Sequence, residues 1–74
     1  MDMQTWRDGW ARATEAADAL RAALAALGLP EAAWNGIRPH VTQTGRPYVD
    51  LGTLQAHVVE QIAEAVRAAT VSVR

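Results

Sequence analysis

Seventy-four residues with a formal net charge of −1, seven arginines, no lysine and no cysteine form one small domain spanning residues 1–74. This composition excludes a disulfide framework, a thiolate metal site and the basic stripe that neutralises phosphates along nucleic acid. A chain this short buries only about 60 to 65% of the surface that its unfolded form exposes. Its core is therefore thin, and association with a second copy is the expected source of added stability.

His40 and His57 are the only imidazoles, too few for a four-ligand structural zinc site. No apolar run approaches the roughly 20 residues of a membrane span. The opening Met1-Asp2-Met3-Gln4 lacks the basic and then apolar pattern of a signal peptide, so a cytoplasmic protein is expected. Arginine without lysine, in an alanine-rich chain, fits the codon bias of a GC-rich bacterial or phage genome.

From Thr5 to Leu27 strong helix formers dominate and no proline intervenes, which predicts a long first helix. Trp6, Trp10, Ala13, Ala17, Leu20, Leu24 and Leu27 recur at alternating steps of four and three, a seam like that of a coiled coil. Arg7, Asp8, Arg12, Glu15, Asp18 and Arg21 occupy the other side. Asp8 with Arg12 and Asp18 with Arg21 are spaced as helical ion pairs of a solvated face. Leu27-Gly28-Leu29-Pro30 ends the helix, with Gly28 suited to the left-handed residue that follows a helix and Pro30 barring continuation. Pro30 to Trp34 reads as one short helical turn, and Asn35-Gly36 as the turn into an extended segment.

Ile37, Pro39 and Val41 lie on one side of a first strand, and Pro47, Val49 and Leu51 on one side of a second, so a hairpin is expected. Pairing Val41 with Val49 and Pro39 with Leu51 keeps these apolar residues on one face, around a Thr44-Gly45-Arg46 loop. In that register His40 faces Asp50 and Thr42 faces Tyr48. Gly52-Thr53 opens a second helix running to about Ala69, with Leu54, Val58, Ile62, Ala65, Val66 and Ala69 in one stripe. His57, Glu60, Gln61, Glu64 and Arg67 lie opposite. The alternating tail Thr70–Arg74 reads as a short third strand or as a frayed end. The fold class is α+β, in the order α-β-β-α.

Two surfaces stand out. Trp6 and Trp10 hold much of the apolar area of so small a protein. A first helix of about 34 Å also outreaches a second of about 26 Å and strands of about 17 to 20 Å, leaving the tryptophan end to overhang its cover. With Ala13, Ala17 and Leu20 they form the candidate interface, and Trp10→Ala is the truncation expected to do most damage on this helix. The second surface is the polar hairpin face of Arg38, His40, Thr42, Tyr48 and Asp50, a candidate partner-binding face. A His beside a carboxylate can serve as an oriented base. Catalysis also needs a cleft, which a two-stranded ribbon does not supply, and polar cross-strand pairs are routine on exposed sheets.

His57, Glu60 and Glu64 share a helical face but lack the repeated Glu-x-x-His order of carboxylate metal bundles, and the glycines form no phosphate-cradling loop. No cofactor is implied. The expected function is a non-enzymatic protein-protein interaction module, a homodimer acting as such or as a small regulator or inhibitor of another protein. Two rivals are a small enzyme or metal-binding protein centred on His40 and Asp50, and a nucleic-acid-binding ribbon using Arg38 and Arg46. The acidic balance argues against the last.

Overall fold

A computed structural model describes residues 2–72 of the chain. Its elements are α1 (Met3–Ala26), a 3-10 turn (Glu31–Ala33), β1 (Arg38–Val41), β2 (Pro47–Asp50) and α2 (Ala56–Ser72). The architecture is the expected small α+β domain, a long helix, an antiparallel hairpin and a second helix. Among the described residues none of the tail forms a strand, because Thr70, Val71 and Ser72 continue α2. Val73 and Arg74, the rest of that expected strand, lie outside the described residues.

α1 begins two residues before Thr5 because Asp2 caps it, Oδ1 accepting from the Thr5 N–H at 2.7 Å. That bond, with the Thr5 hydroxyl and the Gln4 N–H, holds the Asp2 carboxyl below the usual carboxylate range. At the other end Gly28 adopts a φ of 87°, its N–H donates to Ala25 O at 2.9 Å, and the Leu29 N–H donates to Leu24 O at 3.2 Å. This is a Schellman closure, and Leu29 folds back into the core against Leu24 as such closures favour.

Trp34 fixes the connection that follows, its Nε1–H donating to Leu29 O at 3.2 Å. Arg21 fixes it further. The expected Asp18–Arg21 pair forms, with Asp18 Oδ1 accepting from Arg21 at 2.7 Å, but Arg21 is half-buried rather than on the solvated face, and its second terminal nitrogen donates to Ile37 O. One guanidinium thus ties α1 to the start of the hairpin. The expected Asp8–Arg12 pair does not form, since Asp8 accepts from Gln4 Nε2 at 2.9 Å and Arg12 turns toward β2.

The hairpin register differs from expectation by two residues. Arg38 pairs with Asp50, Pro39 with Val49, His40 with Tyr48 and Val41 with Pro47. Turn chemistry explains the change. Gly45, at φ 87°, occupies the third position of a Gln43-Thr44-Gly45 loop, where a left-handed residue closes a three-residue hairpin. Its N–H donates to Thr42 O at 2.9 Å, the Thr42 N–H donates to Arg46 O at 3.0 Å, and the Arg46 N–H donates to Thr42 Oγ1 at 3.1 Å. The Thr42–Arg46 bond also sets the alternation of the ladder. His40/Tyr48 and Arg38/Asp50 become the bonded pairs, and the nitrogens of Pro39 and Pro47 point outward, where no ladder donor is lost. The expected register would have turned both prolines inward.

α1 lies across the inner face of this hairpin, and the approach is close because the helix presents Gly9, Ala13 and Ala17 to it. The core comprises Ala17, Leu24, Leu29, Ile37 and Val58, with Leu20, Trp34, Val49 and Ile62 packed around it. α2 joins through Val58 and Ile62, its N-terminal half. It begins at Ala56 rather than Thr53, since Asp50 Oδ1 accepts from the Gly52 N–H at 2.8 Å and turns the chain there. Gln55 O then accepts from the Val58 and Val59 N–H groups. That early turn leaves Leu51, expected on the inner face, exposed.

Candidate interaction surface

The five residues of the α1 seam separate into two groups. Ala13 and Ala17 are 1% and 0% exposed beneath the chain's own hairpin, and Leu20 is half-buried against the core. These three members of the candidate interface are covered within the molecule by its own hairpin and core. Trp6 and Trp10 remain 38% and 42% exposed. The hairpin tip meets α1 at Gly9, so Trp6 lies in the overhang. The two indoles stack on each other with centroids 5.7 Å apart and planes 3° apart, a contact that shields part of each ring. Leu24, 2% exposed, is the large α1 residue that the fold buries most deeply.

The polar hairpin face holds its expected members. Arg38, His40, Tyr48 and Asp50 are exposed and Thr42 is half-buried, its hydroxyl engaged with Thr44 Oγ1 at 3.1 Å and the Arg46 N–H. The expected His40–Asp50 opposition is not formed, because the register sets His40 against Tyr48 and Asp50 against Arg38. Asp50 also spends one oxygen on the Gly52 N–H. An oriented imidazole–carboxylate pair is therefore lost as a foundation for chemistry. Arg12, Ala13, Ala16, Pro47, Tyr48 and Val49 line a shallow cleft of 320 Å³ between α1 and β2.

His57, Glu60 and Glu64 lie on the exposed face of α2, where Glu64 pairs with Arg67 at 2.9 Å. Among the described residues no group of three His, Asp or Glu side chains could hold a metal ion. Nor, among them, is any helix long and apolar enough to cross a membrane.

Sequence reasoning passed over the far half of α2 as a surface. Val58 is fully buried and Ile62 half-buried, but Val59 and Val66 are 47% and 60% exposed. The stripe continues past the point where the protein covers it. Its spacing was legible; its lack of cover was not. Compared with family models, with curated proteins and with solved structures, the chain matches none.

Proposed function

We propose that this chain is a non-enzymatic protein-protein interaction module that works in the cytoplasm as a homodimer. The observation that carries the reading is surface area. The chain exposes 5547 Å², whereas a compact monomer of 8.0 kDa exposes about 4,450 Å². The excess of about 1,100 Å² exceeds the roughly 800 Å² per partner of a standard interface. Size agrees with area, since the radius of gyration is 14.4 Å against about 11 Å for a compact chain of this length.

Within that surface the large apolar side chains Met3, Trp6, Trp10, Val59 and Val66 are exposed. The catalytic rival loses its paired His40 and Asp50, and the nucleic-acid rival has only scattered arginines on an acidic chain. Sedimentation equilibrium tests the proposal. A two-chain mass at micromolar concentration, with a melting temperature that rises with concentration, is expected from the linkage of folding to association. A single-chain mass at millimolar concentration with a concentration-independent melt would refute it.

A further inference from the structure

Asn35, the one asparagine of the chain, stands before a glycine whose missing Cβ answers to neither conformation nor packing. Gly28, Gly45 and Gly52 take the positive φ that disfavours other residues, and Gly9 admits Gly45 O. Gly36 has a φ outside that region and open space where a Cβ would stand. Asn35 and Gly36 are both exposed, and they form the middle of the turn that the Ile37 N–H closes onto Trp34 O at 3.2 Å. Among the described residues, neither the Asn35 carboxamide nor the Gly36 N–H makes a hydrogen bond.

That arrangement is reactive. Attack on an asparagine Cγ by the backbone nitrogen of the next residue closes a five-membered ring, and a following glycine hinders the attack least. Backbone hydrogen bonding withholds such a nitrogen elsewhere in a fold. Asp8-Gly9 gives the contrast, because Gly9 is buried inside α1, where helical bonding takes its N–H.

We infer that Asn35-Gly36 is a self-modifying site, at which the folded chain releases ammonia and takes up water to leave an aspartyl or an isoaspartyl residue. The Gly36 nitrogen attacks Asn35 Cγ and a C–N bond forms. The Gly36 proton passes through solvent to the side-chain nitrogen, which leaves as ammonia. Water then opens the succinimide ring. Cleavage of the new Cγ–N bond gives an aspartyl residue in an unchanged main chain. Cleavage between the Asn35 carbonyl carbon and the Gly36 nitrogen gives an isoaspartyl residue, whose main chain runs through Cβ and Cγ and is one atom longer. Nothing is oxidised or reduced, and water is the co-reactant.

The position gives the change a consequence. Trp34, on one side of the turn, is tied to Leu29 O through its Nε1–H; Ile37, on the other, is fully buried and its carbonyl accepts from Arg21. An extra main-chain atom between these anchors displaces the Trp34–Ile37 closure from its native geometry. Either product adds one negative charge, which takes the formal net charge from −1 to −2.

The test is to age the native chain at neutral and at mildly alkaline pH, following intact mass and using an isoaspartyl methyltransferase as the probe of the product. A gain of one mass unit is expected, faster at alkaline pH because the attacking nitrogen must give up its proton, with methyl acceptance in the fragment that holds Asn35. Gly36→Ala places its Cβ in open space and should fold as the native chain does. It should lag behind the native chain in mass gain, as should Asn35→Gln, whose longer side chain must close a larger ring. A native chain that keeps its mass while folded, whatever it does in urea, would show that the turn withholds the Gly36 nitrogen and would overturn the inference. So would a folded Gly36→Ala chain that gains mass at the native rate, or a gain located at a glutamine.

Discussion

Gly9→Ala isolates the closest contact in the fold. On a free helix this change stabilises by about 0.8 to 1.0 kcal/mol, because alanine is the best helix former and glycine one of the worst. Here the added Cβ would stand 2.5 Å from Gly45 O and 3.5 Å from Val41 Cγ1. The nearest atom belongs to the backbone of a closed turn and cannot rotate aside. The hairpin tip must retreat by roughly 0.9 Å to reach ordinary contact, and a gap of that size over Ala13 forfeits about a quarter to a half of each dispersion well it opens. Overpacking of this kind costs about 1 to 3 kcal/mol, enough to outweigh the helix gain at all but its lower end. A net loss of up to about 2 kcal/mol is expected, or up to about 16 °C in melting temperature for a domain of this size. Thermal and urea melts on Gly9→Ala should show it, with Gly36→Ala as control. Gly36 has open space around its Cβ position, so the same substitution there should be neutral or gain up to about 1 kcal/mol. A Gly9→Ala chain stabilised like a free helix would show that the hairpin tip does not rest on α1.

Ile37→Ala, at a fully buried position, should cost about 2 to 5 kcal/mol, while His40→Ala on the exposed face should cost less than about 1; comparable losses in denaturant melts would mean the hairpin faces are exchanged. Leu24→Ala should exceed Trp10→Ala in cost, since Leu24 is buried and Trp10 is half in water, and the reverse order in the dissociated monomer would contradict that burial. Arg21→Met should lose about 1.5 to 3 kcal/mol through its charged bond to Ile37 O; an unchanged urea midpoint would count against the tie. The cap contributed by Asp2 should be present at neutral pH and fade as pH falls through its lowered carboxyl pKa, because protonation removes the acceptor charge. Asp2→Asn should keep the cap and lose that acid dependence, read as helical circular dichroism between pH 5 and pH 2.

The elements were legible wherever local chemistry decides. Gly28 and Pro30 ended α1 where the structure ends it, within a residue, because the Schellman closure needs only nearby groups. Hairpin faces were legible too, since a two-residue slip preserves parity and keeps Pro39, Val41, Pro47 and Val49 together. The register itself was misread because apolar matching was weighed above the left-handed need of Gly45 and the missing N–H of two prolines. Those two demands agree with each other and with the observed pairing. Asp2 as the cap and Gly9 as the point of close approach could also have been read: an Asp three residues before Thr5 is an N-cap signal, and a glycine inside a strong helix asks for a packing reason.

The site was harder to read because helical spacing tells which residues share a face and not what lies against it. Gly9, Ala13 and Ala17 can admit a neighbouring helix or a sheet equally well, and the chain's own hairpin takes that place. Sheet width then determines the rest. Two strands about 4.8 Å apart make a face about 10 Å across, and one helix with side chains is about 10 to 12 Å wide. α1 fills it. A second amphipathic helix finds no further sheet to lie on, reaches the core only with Val58 and Ile62, and runs on with Val66 in water.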